Sequence, residues 1–159
     1  MDKINTVGVD LAKQVMAVHG VDATGRMVMR KVLRRDQVLT WSAALAPCVI
    51  AMEACGGAHH WARELTGQGH TVRMIAAEFV QAFRESGTND ANDAEAICTA
   101  ARQPTMRFVA MKSVAQQAAW CVHRLRQGLV EERIWALLVK DEDFGVRRVA
   151  PKVLAVAAA

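Results

Sequence analysis

The first third of the chain carries short apolar runs with the composition and spacing of β-strands. "INTVGVDLAK", "QVMAVHGV" and "RMVMRKVL" are rich in aliphatic and β-branched residues and are separated by only a few residues. Such runs predict strands, and such short connections predict an antiparallel arrangement. The tetrapeptide Asp22-Ala-Thr-Gly25 is typical of a turn between the second and third runs. The chain therefore opens with a predicted three-stranded meander.

From Asp36 onward the pattern predicts helices alternating with strands. Asp36 is a suitable N-cap for a helix over 37–45, and the continuous apolar run "CVIAMEA" is typical of a strand buried on both faces. A helix over 59–68, the strand "HTVRMI" and a short helical or irregular piece over 77–86 come next. In this arrangement the first and fourth strands lie side by side at the centre of the sheet.

Two further helices complete the pattern, one over about 89–102 and a long one over 113–140 that no proline interrupts. The order βββ-α-β-α-β-α predicts a five-stranded mixed sheet flanked by helices, with the long helix appended at the C-terminal side. This is an α/β architecture of the ribonuclease-H-like type. A fold of this type does not by itself establish a function.

The composition predicts a globular protein. The chain has 159 residues, of which 52% are hydrophobic, enough for one domain with a proper core. No apolar run reaches the roughly 18 residues that a membrane-spanning helix needs. The first ten residues lack the apolar core of a signal peptide. We therefore expect a cytoplasmic protein with free cysteines and no membrane association.

The charge is distributed unevenly along the chain. Residues 1–100 carry ten Lys/Arg and eleven Asp/Glu, whereas residues 101–159 carry ten Lys/Arg and five Asp/Glu. The excess of cations in the last third is compatible with binding to nucleic-acid phosphates, and equally with an ordinary solvated helix face.

Two acidic residues occupy positions where a purely structural interpretation is costly. Asp10 ends the first apolar strand, and Glu53 lies within or at the end of "CVIAMEA". A buried carboxylate is normally paired, protonated or bound to a metal ion, because an unpaired buried charge is strongly unfavourable. For each acid alone a structural role suffices: Asp10 caps the turn into Lys13, and Glu53 pairs with a nearby Arg or His.

Two more acids stand three residues apart at the start of the helix over 89–102. Asp90 and Asp93 project from one helix face, where one would serve as N-cap and the other would favour the positive helix end. If this helix packs across the first and fourth strands, its acids converge with Asp10 and Glu53. Clustered carboxylates repel one another unless a hard cation lies among them, and their oxygen atoms suit Mg²⁺ or Mn²⁺. The hypothesis is a two-metal site that cleaves phosphodiester bonds.

Four motifs carry a family resemblance: "VGVDLAK", "AMEACGGAHHWAREL" with "QGHTVRMI", "NDANDAEAI" and "SVAQQAAWCVHRLR". In this order, over about residues 4–135, they resemble the N-terminal half of insertion-sequence 110 family transposases, nearest to the 1111 subgroup. The resemblance implies a DEDD tetrad on a domain similar to RuvC-type Holliday-junction resolvases. It places the catalytic and metal-binding tetrad on Asp10, Glu53, Asp90 and Asp93.

The resemblance also implies an activity and partners. The family transposes or site-specifically recombines DNA in prokaryotic cells, and a structured guide RNA is implicated in the choice of sites. Members have a second, C-terminal domain with a serine proposed as the strand-exchange nucleophile, and we expect that domain to be absent here. The expected organisation is a catalytic domain over 1–104, a long helical assembly segment over 105–140 and a tail over 141–159 without a recognised match.

The long helix combines a rough heptad seam with a basic side. The seam repeats at steps of three and four and is interrupted at Gly128 and Glu132; its residues are Val114, Ala118, Cys121, Leu125, Gly128, Glu132, Trp135 and Val139. The seam predicts either packing on the helix's own domain or a homo-oligomeric contact. The predicted nucleic-acid-binding residues are Lys13, in the family's D-x-x-K pattern, and three arginines of this helix, Arg124, Arg126 and Arg133. Lys13 either approaches a phosphate or is a simple surface charge.

Three classes of function are compatible with these features. The first is a magnesium- or manganese-dependent DEDD transposase, or its catalytic half, that cleaves and transfers DNA strands. The second is a non-catalytic nucleic-acid-binding or oligomerisation module. The third is a small-molecule or ATP-binding domain, which usually needs a Gly-rich phosphate loop, and only Gly56-Gly57 is similar. We expect the geometry of the tetrad without complete recombination by this chain.

Overall fold

The computed structural model of the chain describes the backbone of residues 3–84 and 90–140 and the side chains of residues 3–84 and 92–133. Within these residues six strands form one sheet in the order β3-β2-β1-β4-β5-β6. The strands are β1 Thr6–Leu11, β2 Val15–Val21, β3 Met27–Arg34, β4 Val49–Glu53, β5 Thr71–Ile75 and β6 Phe108–Val109. The first three strands are antiparallel, β4 and β5 run parallel to β1, and β6 is antiparallel to β5.

The predicted mixed α/β sheet is confirmed, with β1 and β4 as neighbours at its centre. The sheet has one strand more than the five predicted. β6 is two residues long and pairs Phe108 with Ile75 and Val109 with Met74. Two residues are too few to show a period-two hydrophobic pattern, which is why the sequence did not indicate this strand.

The helices in the described part of the chain are α1 Val38–Ala43, α2 Ala58–Gly67, α3 Ala77–Gln81, α4 Asp90–Ala101 and α5 Val114–Lys140, and a 3-10 turn Arg35–Gln37 leads into α1. The chain divides into two compact units, Met1–Val114 and Ala115–Ala159. The first unit contains the sheet and α1 to α4. The long helix predicted over 113–140 corresponds to α5, and the predicted assembly segment over 105–140 also includes β6, which adds to the sheet. Over the described ranges, no helix has the length and apolar character needed to cross a membrane.

Each face of the sheet carries its own core. On one face the strands pack against α1 and α2 through a large hydrophobic cluster that includes Val7, Val9, Ile50, Met52, Val38, Trp61 and Leu65. On the opposite face Ala51 and Ile75 pack against α3 and α4 through Val80, Ala96, Ile97, Ala100 and Ala101. Burying one large aliphatic side chain stabilises a fold by about 1.5–3 kcal/mol. Because strand residues alternate between faces, those that alternate with Val7, Val9, Ile50 and Met52 face α4.

Helix α4 lies directly against β1 at Gly8. A Cβ atom at this position would overlap the carbonyl oxygen of Ala94 and would lie 2.7 Å from the backbone nitrogen of Cys98. Only glycine permits so close an approach of a helix backbone to a strand. Since Cys98 contacts the carbonyl of Thr6 while Ala94 lies at Gly8, α4 runs antiparallel to β1 and its first turn points toward Asp10.

Candidate carboxylate site

Asp10 and Glu53 lie on the same face of the sheet, on neighbouring strands. In the parallel register of β1 and β4, Gly8 pairs with Ala51, so Asp10 and Glu53 each follow two positions later. Residues two apart in a strand share a face, and Gly8 and Ala51 both face α4. Neighbouring strands lie about 4.8 Å apart, so the two acids start from adjacent backbone positions.

Arg84 joins the acid of β4 to an acid of α4. Its Nη2 lies 3.1 Å from Oε2 of Glu53, and its Nε lies 3.0 Å from Oδ1 of Asp93. The contact with Glu53 is a charge-assisted hydrogen bond that the guanidinium donates, and the contact with Asp93 is an ion pair. The side chains of Arg84, Glu53 and Asp93 are 35%, 27% and 20% exposed, so the network is shielded from much of the solvent. Glu53 and Asp93 thus converge on one positive charge.

The first turn of α4 carries the remaining pair of predicted acids. Asp90 is the first residue of the helix and Asp93 lies one turn further on. The side chain of Asp90 lies outside the described residues. The structure therefore places Asp10, Glu53 and Asp93 at one end of β1, β4 and α4, on a common face of the sheet.

The donor set has the chemistry that a hard cation prefers. Among the described side chains, no group of three or more His, Cys, Asp or Glu is arranged to hold a metal ion. Glu53 and Asp93 nevertheless already enclose one cationic group, the Arg84 guanidinium. Carboxylate oxygens of this kind suit Mg²⁺ or Mn²⁺. An ion placed between these two acids would displace at least one of their bonds to Arg84.

Two arginines beside the acids are absent from the sequence-based prediction. Arg84 supplies the Arg partner considered for Glu53, although nothing in the sequence indicates which arginine this is. Arg30 of β3 donates a hydrogen bond of 3.4 Å to Oδ1 of Asn92, the residue before Asp93. The signal that could have pointed to Arg30 is its position in a cation-rich strand, "RMVMRKVLRR".

The predicted nucleic-acid-binding residues belong to different units of the chain. Lys13 is exposed in the turn between β1 and β2, three residues after Asp10, on the unit that carries the acids. Arg124, Arg126 and Arg133 are exposed on α5, in the second unit. The guanidinium of Arg124 lies 5.3 Å from the ring centre of Trp120, a cation–π contact within the helix.

Two buried titratable groups, His19 of β2 and Cys98 of α4, lie where α4 packs on the sheet. Burial lowers the pKa of His19, and this effect prevails over Glu95, whose Oε2 lies 3.9 Å from Nδ1 and favours the charged form. Burial raises the pKa of the Cys98 thiol to about 11. Both groups are therefore neutral at physiological pH, and the charge of the site comes from its carboxylates and arginines.

The chain is similar to known transposases over most of its length. A family profile described as transposase, that of the IS110-type DEDD proteins, matches residues 7–138. A probable family 20 transposase of Pseudomonas aeruginosa is 52% identical over 130 residues, which cover 82% of this chain and 38% of the relative. The transposase for insertion sequence element IS1328 of Yersinia enterocolitica is 40% identical over 136 residues, covering 86% and 41% of the two chains.

A further relative, the transposase for insertion sequence element IS1111A of Coxiella burnetii, is 38% identical over 133 residues, which cover 84% of this chain and 36% of the relative. The chain thus spans between 36% and 41% of the length of these three relatives.

A solved structure also resembles this fold. T. thermophilus RuvC in complex with Holliday junction substrate aligns with a TM-score of 0.50 and 14% identity, covering 65% of this chain and 98% of that chain. At this level of identity the likeness concerns the fold alone, and it agrees with the ribonuclease-H-like architecture predicted from the order of elements.

Proposed function

The chain belongs to the IS110 family of DEDD transposases, and on this basis we propose that it carries a divalent-metal-dependent site that cleaves DNA phosphodiester bonds during recombination. Because the chain spans about two fifths of its relatives, the proposal concerns the cleavage site and not the complete recombination reaction. The DNA, the metal ions and the guide RNA are all parts of this proposal.

One observation supports the proposal above all. Glu53 from β4 and Asp93 from α4 converge on the guanidinium of Arg84, on the face of the sheet that also carries Asp10. A structural salt bridge needs one acid, whereas this end of the sheet collects acids from three separate elements. Their mutual repulsion is tolerated only with compensating positive charge, and a divalent ion supplies more of it than one arginine.

Asp10, Glu53, Asp90 and Asp93 are the residues that would hold Mg²⁺ or Mn²⁺. Ions held by these residues would activate the attacking oxygen and stabilise the leaving oxygen of a phosphodiester displacement. The chain itself contributes rigidity, because β1 and β4 present two of the acids from adjacent central strands. Gly8 allows the backbone of α4 to approach β1 closely, so the first turn of α4 lies near those strands.

Positively charged side chains are proposed to hold the nucleic acid. Lys13 lies in an exposed turn three residues after Asp10, and its proposed role is to neutralise a phosphate near the acids. On α5 the proposed contacts are Arg124, Arg126 and Arg133, whose exposed positions suit binding of DNA or of a guide RNA. RuvC, the structural neighbour, was solved with a Holliday junction, and branched DNA is therefore the first substrate to test.

Self-association through α5 is the second part of the proposal. Val122, Leu125 and Leu129 are 66%, 68% and 65% exposed, and their spacing of three and four places them on one side of the helix. An exposed apolar stripe of this kind is typical of a helix that pairs with another helix. Of these three residues only Leu125 belongs to the predicted seam, and the side chains of Trp135 and Val139 in that seam lie outside the described residues. Sedimentation at several protein concentrations tests this association.

A non-catalytic nucleic-acid-binding module is the competing proposal, and Arg84 favours it. This arginine already pairs with Glu53 and Asp93, so both acids have a sufficient structural role without a metal ion. In that case nucleic-acid binding would survive removal of the acids, and divalent ions would bind weakly and without dependence on them.

Calorimetric titration with Mn²⁺ separates the two proposals. We expect Asp10→Asn and Asp93→Asn to weaken Mn²⁺ binding on the order of tenfold or more, because each removes a charged oxygen ligand. Asp36→Asn, an exposed acid that pairs with Arg34 beyond the end of β3, is the matched control and should bind as wild type. Equal, weak binding in all four proteins would leave only the non-catalytic proposal.

A further inference from the structure

The edge strand β3 carries a concentration of positive charge that the proposed function does not use. Residues 26–35 contain five Arg/Lys and no acid. In the described sheet β3 has a neighbour on one side only, β2. Its side chains project from two opposite faces of the sheet, and only some of its cations share a face with the carboxylates.

The alternation of side chains along β3 shows which residues lie on each face. Met29 and Leu33 pack against the core on the α1 and α2 side of the sheet. Arg30, Val32 and Arg34 therefore project from the opposite face, the one that carries Asp10 and α4. The hydrogen bond from Arg30 to Asn92 of α4 agrees with this assignment.

The register of the strands shows how near this face is to the acids. Ala17 of β2 pairs with Asp10 on one side and with Val32 on the other. Val32 is thus two strands away from Asp10, at about 10 Å between backbones. Arg30 and Arg34 flank Val32 along the strand, separated from each other by about 13 Å.

The surface between the two arginines is open. Val32 is 67% exposed, and Val15, next to Arg34 in the register, is 40% exposed. Arg30 contacts the neutral amide of Asn92, so this contact leaves its charge uncompensated. Arg34 is paired with Asp36 at 2.9 Å, yet its side chain is 71% exposed, and such surface pairs are weak enough to exchange.

We infer that the face of β3 formed by Arg30, Val32 and Arg34 is a binding track for the DNA phosphate backbone, leading a DNA strand to the carboxylates. Over about 13 Å a DNA strand presents several phosphates, at about 3.4 Å of axial rise each. Two guanidinium groups at this separation can each donate to a different phosphate. The inference rests on the proposed function only for the destination of the strand. The binding itself needs no metal ion.

Edge strands also carry cations that prevent association with other sheets, and this protective role does not require the cations to share one face. A purely protective charge can lie on either face of β3. Lys31 is exposed on the face opposite to Arg30 and Arg34, so it shares the protective role but cannot contact DNA bound beside Asp10. The two roles can therefore be separated within one strand.

The test measures binding of the full chain to a fluorescent branched DNA, by anisotropy in EDTA over a series of salt concentrations. For Arg30→Gln/Arg34→Gln we expect affinity to fall on the order of tenfold and the slope of log K against log salt to shrink by about 2, as two phosphate contacts are lost. The control Lys31→Gln/Arg107→Gln removes the same amount of charge from exposed positions outside the proposed track, and it should change affinity less than twofold. Thermal melting checks that both double variants are folded.

A second measurement locates the DNA directly. Val32→Cys, in a chain whose exposed Cys55 and Cys121 are replaced by Ser, is labelled with a photoactivated crosslinker. We expect it to crosslink to DNA, whereas the same label on Lys31→Cys should crosslink at least several-fold less. Comparable crosslinking from the two positions would overturn the inference.

Each remaining outcome also supports or rejects the binding track. If the arginine double variant binds DNA with the affinity and salt slope of the wild type, the proposed binding track is wrong. This holds even if Mn²⁺ binding depends on Asp10 as proposed. Loss of RNA binding with unchanged DNA binding overturns the assignment to DNA, and aggregation with unchanged DNA binding assigns the arginines to edge protection. Loss of DNA binding alongside Mn²⁺ binding that ignores Asp10 and Asp93 retains the track and rejects the metal site.

Discussion

At the scale of single residues, the balance of charge around the acids depends on Arg84. Its guanidinium forms ion pairs with both Glu53 and Asp93, and all three side chains are partly shielded from solvent. The same positive charge that stabilises the acids in the absence of an ion opposes the entry of an ion. Arg84 therefore links the stability of the free protein to its affinity for divalent cations.

Replacing Arg84 by Met, which keeps much of the side-chain volume, should tighten Mn²⁺ binding on the order of tenfold, since a nearby like charge costs an ion about 1–2 kcal/mol in a partly exposed site. The free energy of unfolding without ions should fall by about 1 kcal/mol, because Glu53 and Asp93 lose their shared cation in a site that is only partly shielded from solvent. Calorimetry and urea denaturation measure the two quantities. Arg107→Met, an exposed arginine on the same unit, is the control and should change neither. Weaker Mn²⁺ binding in Arg84→Met would mean that the arginine supports the ion instead of competing with it.

The sequence marks some residues of the site and not others for a clear reason. Asp10 and Glu53 stand out because a carboxylate in an apolar strand is unusual and costly. Arg84 follows a short helix in a polar context where an arginine is ordinary. Its importance comes from contacts with residues far away in the chain, which no local pattern records. The roles of the four acids remain predictions that the Mn²⁺ titration tests.

At the scale of elements, the position of α4 depends on the absence of a side chain at Gly8. Gly8→Ala should destabilise the protein by about 3 kcal/mol, because the added methyl group meets the rigid backbone of α4 at Ala94 and Cys98. The helix should shift away from β1 and carry Asp93 with it, so ion binding should weaken as well. Urea denaturation and Mn²⁺ titration measure these changes.

Gly67→Ala is the matched control for Gly8→Ala. Gly67 is the last residue of α2, and a Cβ atom there meets no heavy atom within 4 Å. The substitution should be neutral or stabilise by up to about 1 kcal/mol, because alanine favours the helix. Equal stability of the Gly8 and Gly67 variants would contradict the close packing of α4 on β1.

The elements themselves were predictable where their patterns are long enough. β1, β2, β4 and β5 are apolar runs, and α2 and α4 have helical spacing between breakers, so each was predicted within a few residues of its bounds. β6 was not, since two residues have no periodicity. Which face of the sheet each strand residue occupies was harder to predict than the strands themselves. Asp10 and Glu53 share a face only because Gly8 pairs with Ala51, and that register is a property of the assembled sheet.

At the scale of the whole molecule, two buried histidines make stability depend on pH. Burial lowers the pKa of His19 and of His59, and for His59 the neighbouring Lys112 and Arg63 lower it further. The unfolded chain then binds more protons than the folded chain below about pH 6.5. The free energy of unfolding should therefore be highest above pH 6.5 and should fall as the pH decreases, by at most about 1.4 kcal/mol per pH unit for each histidine.

Urea denaturation at pH 7.5, 6.5 and 5.5 measures this dependence. His19→Gln cannot take up a proton, so its free energy of unfolding should fall less between pH 7.5 and 5.5 than that of the wild type. The carboxyl group of Asp22, whose pKa is lowered mainly by its hydrogen bond with Thr24, titrates below this range. A pH-independent free energy of unfolding would show that neither histidine is held in its neutral form.

The sequence by itself determined the α/β layers, the order of the main elements and, through the motifs, the family. These follow from hydrophobic period and residue type, which are local properties of the chain. Tertiary structure alone decided that Asp10 and Glu53 share a face, that Arg84 bridges Glu53 and Asp93, and that Arg30 and Arg34 lie on the face of the sheet that carries Asp10. Strand register and helix docking set these neighbours, and both arise only when segments distant in the sequence pack together.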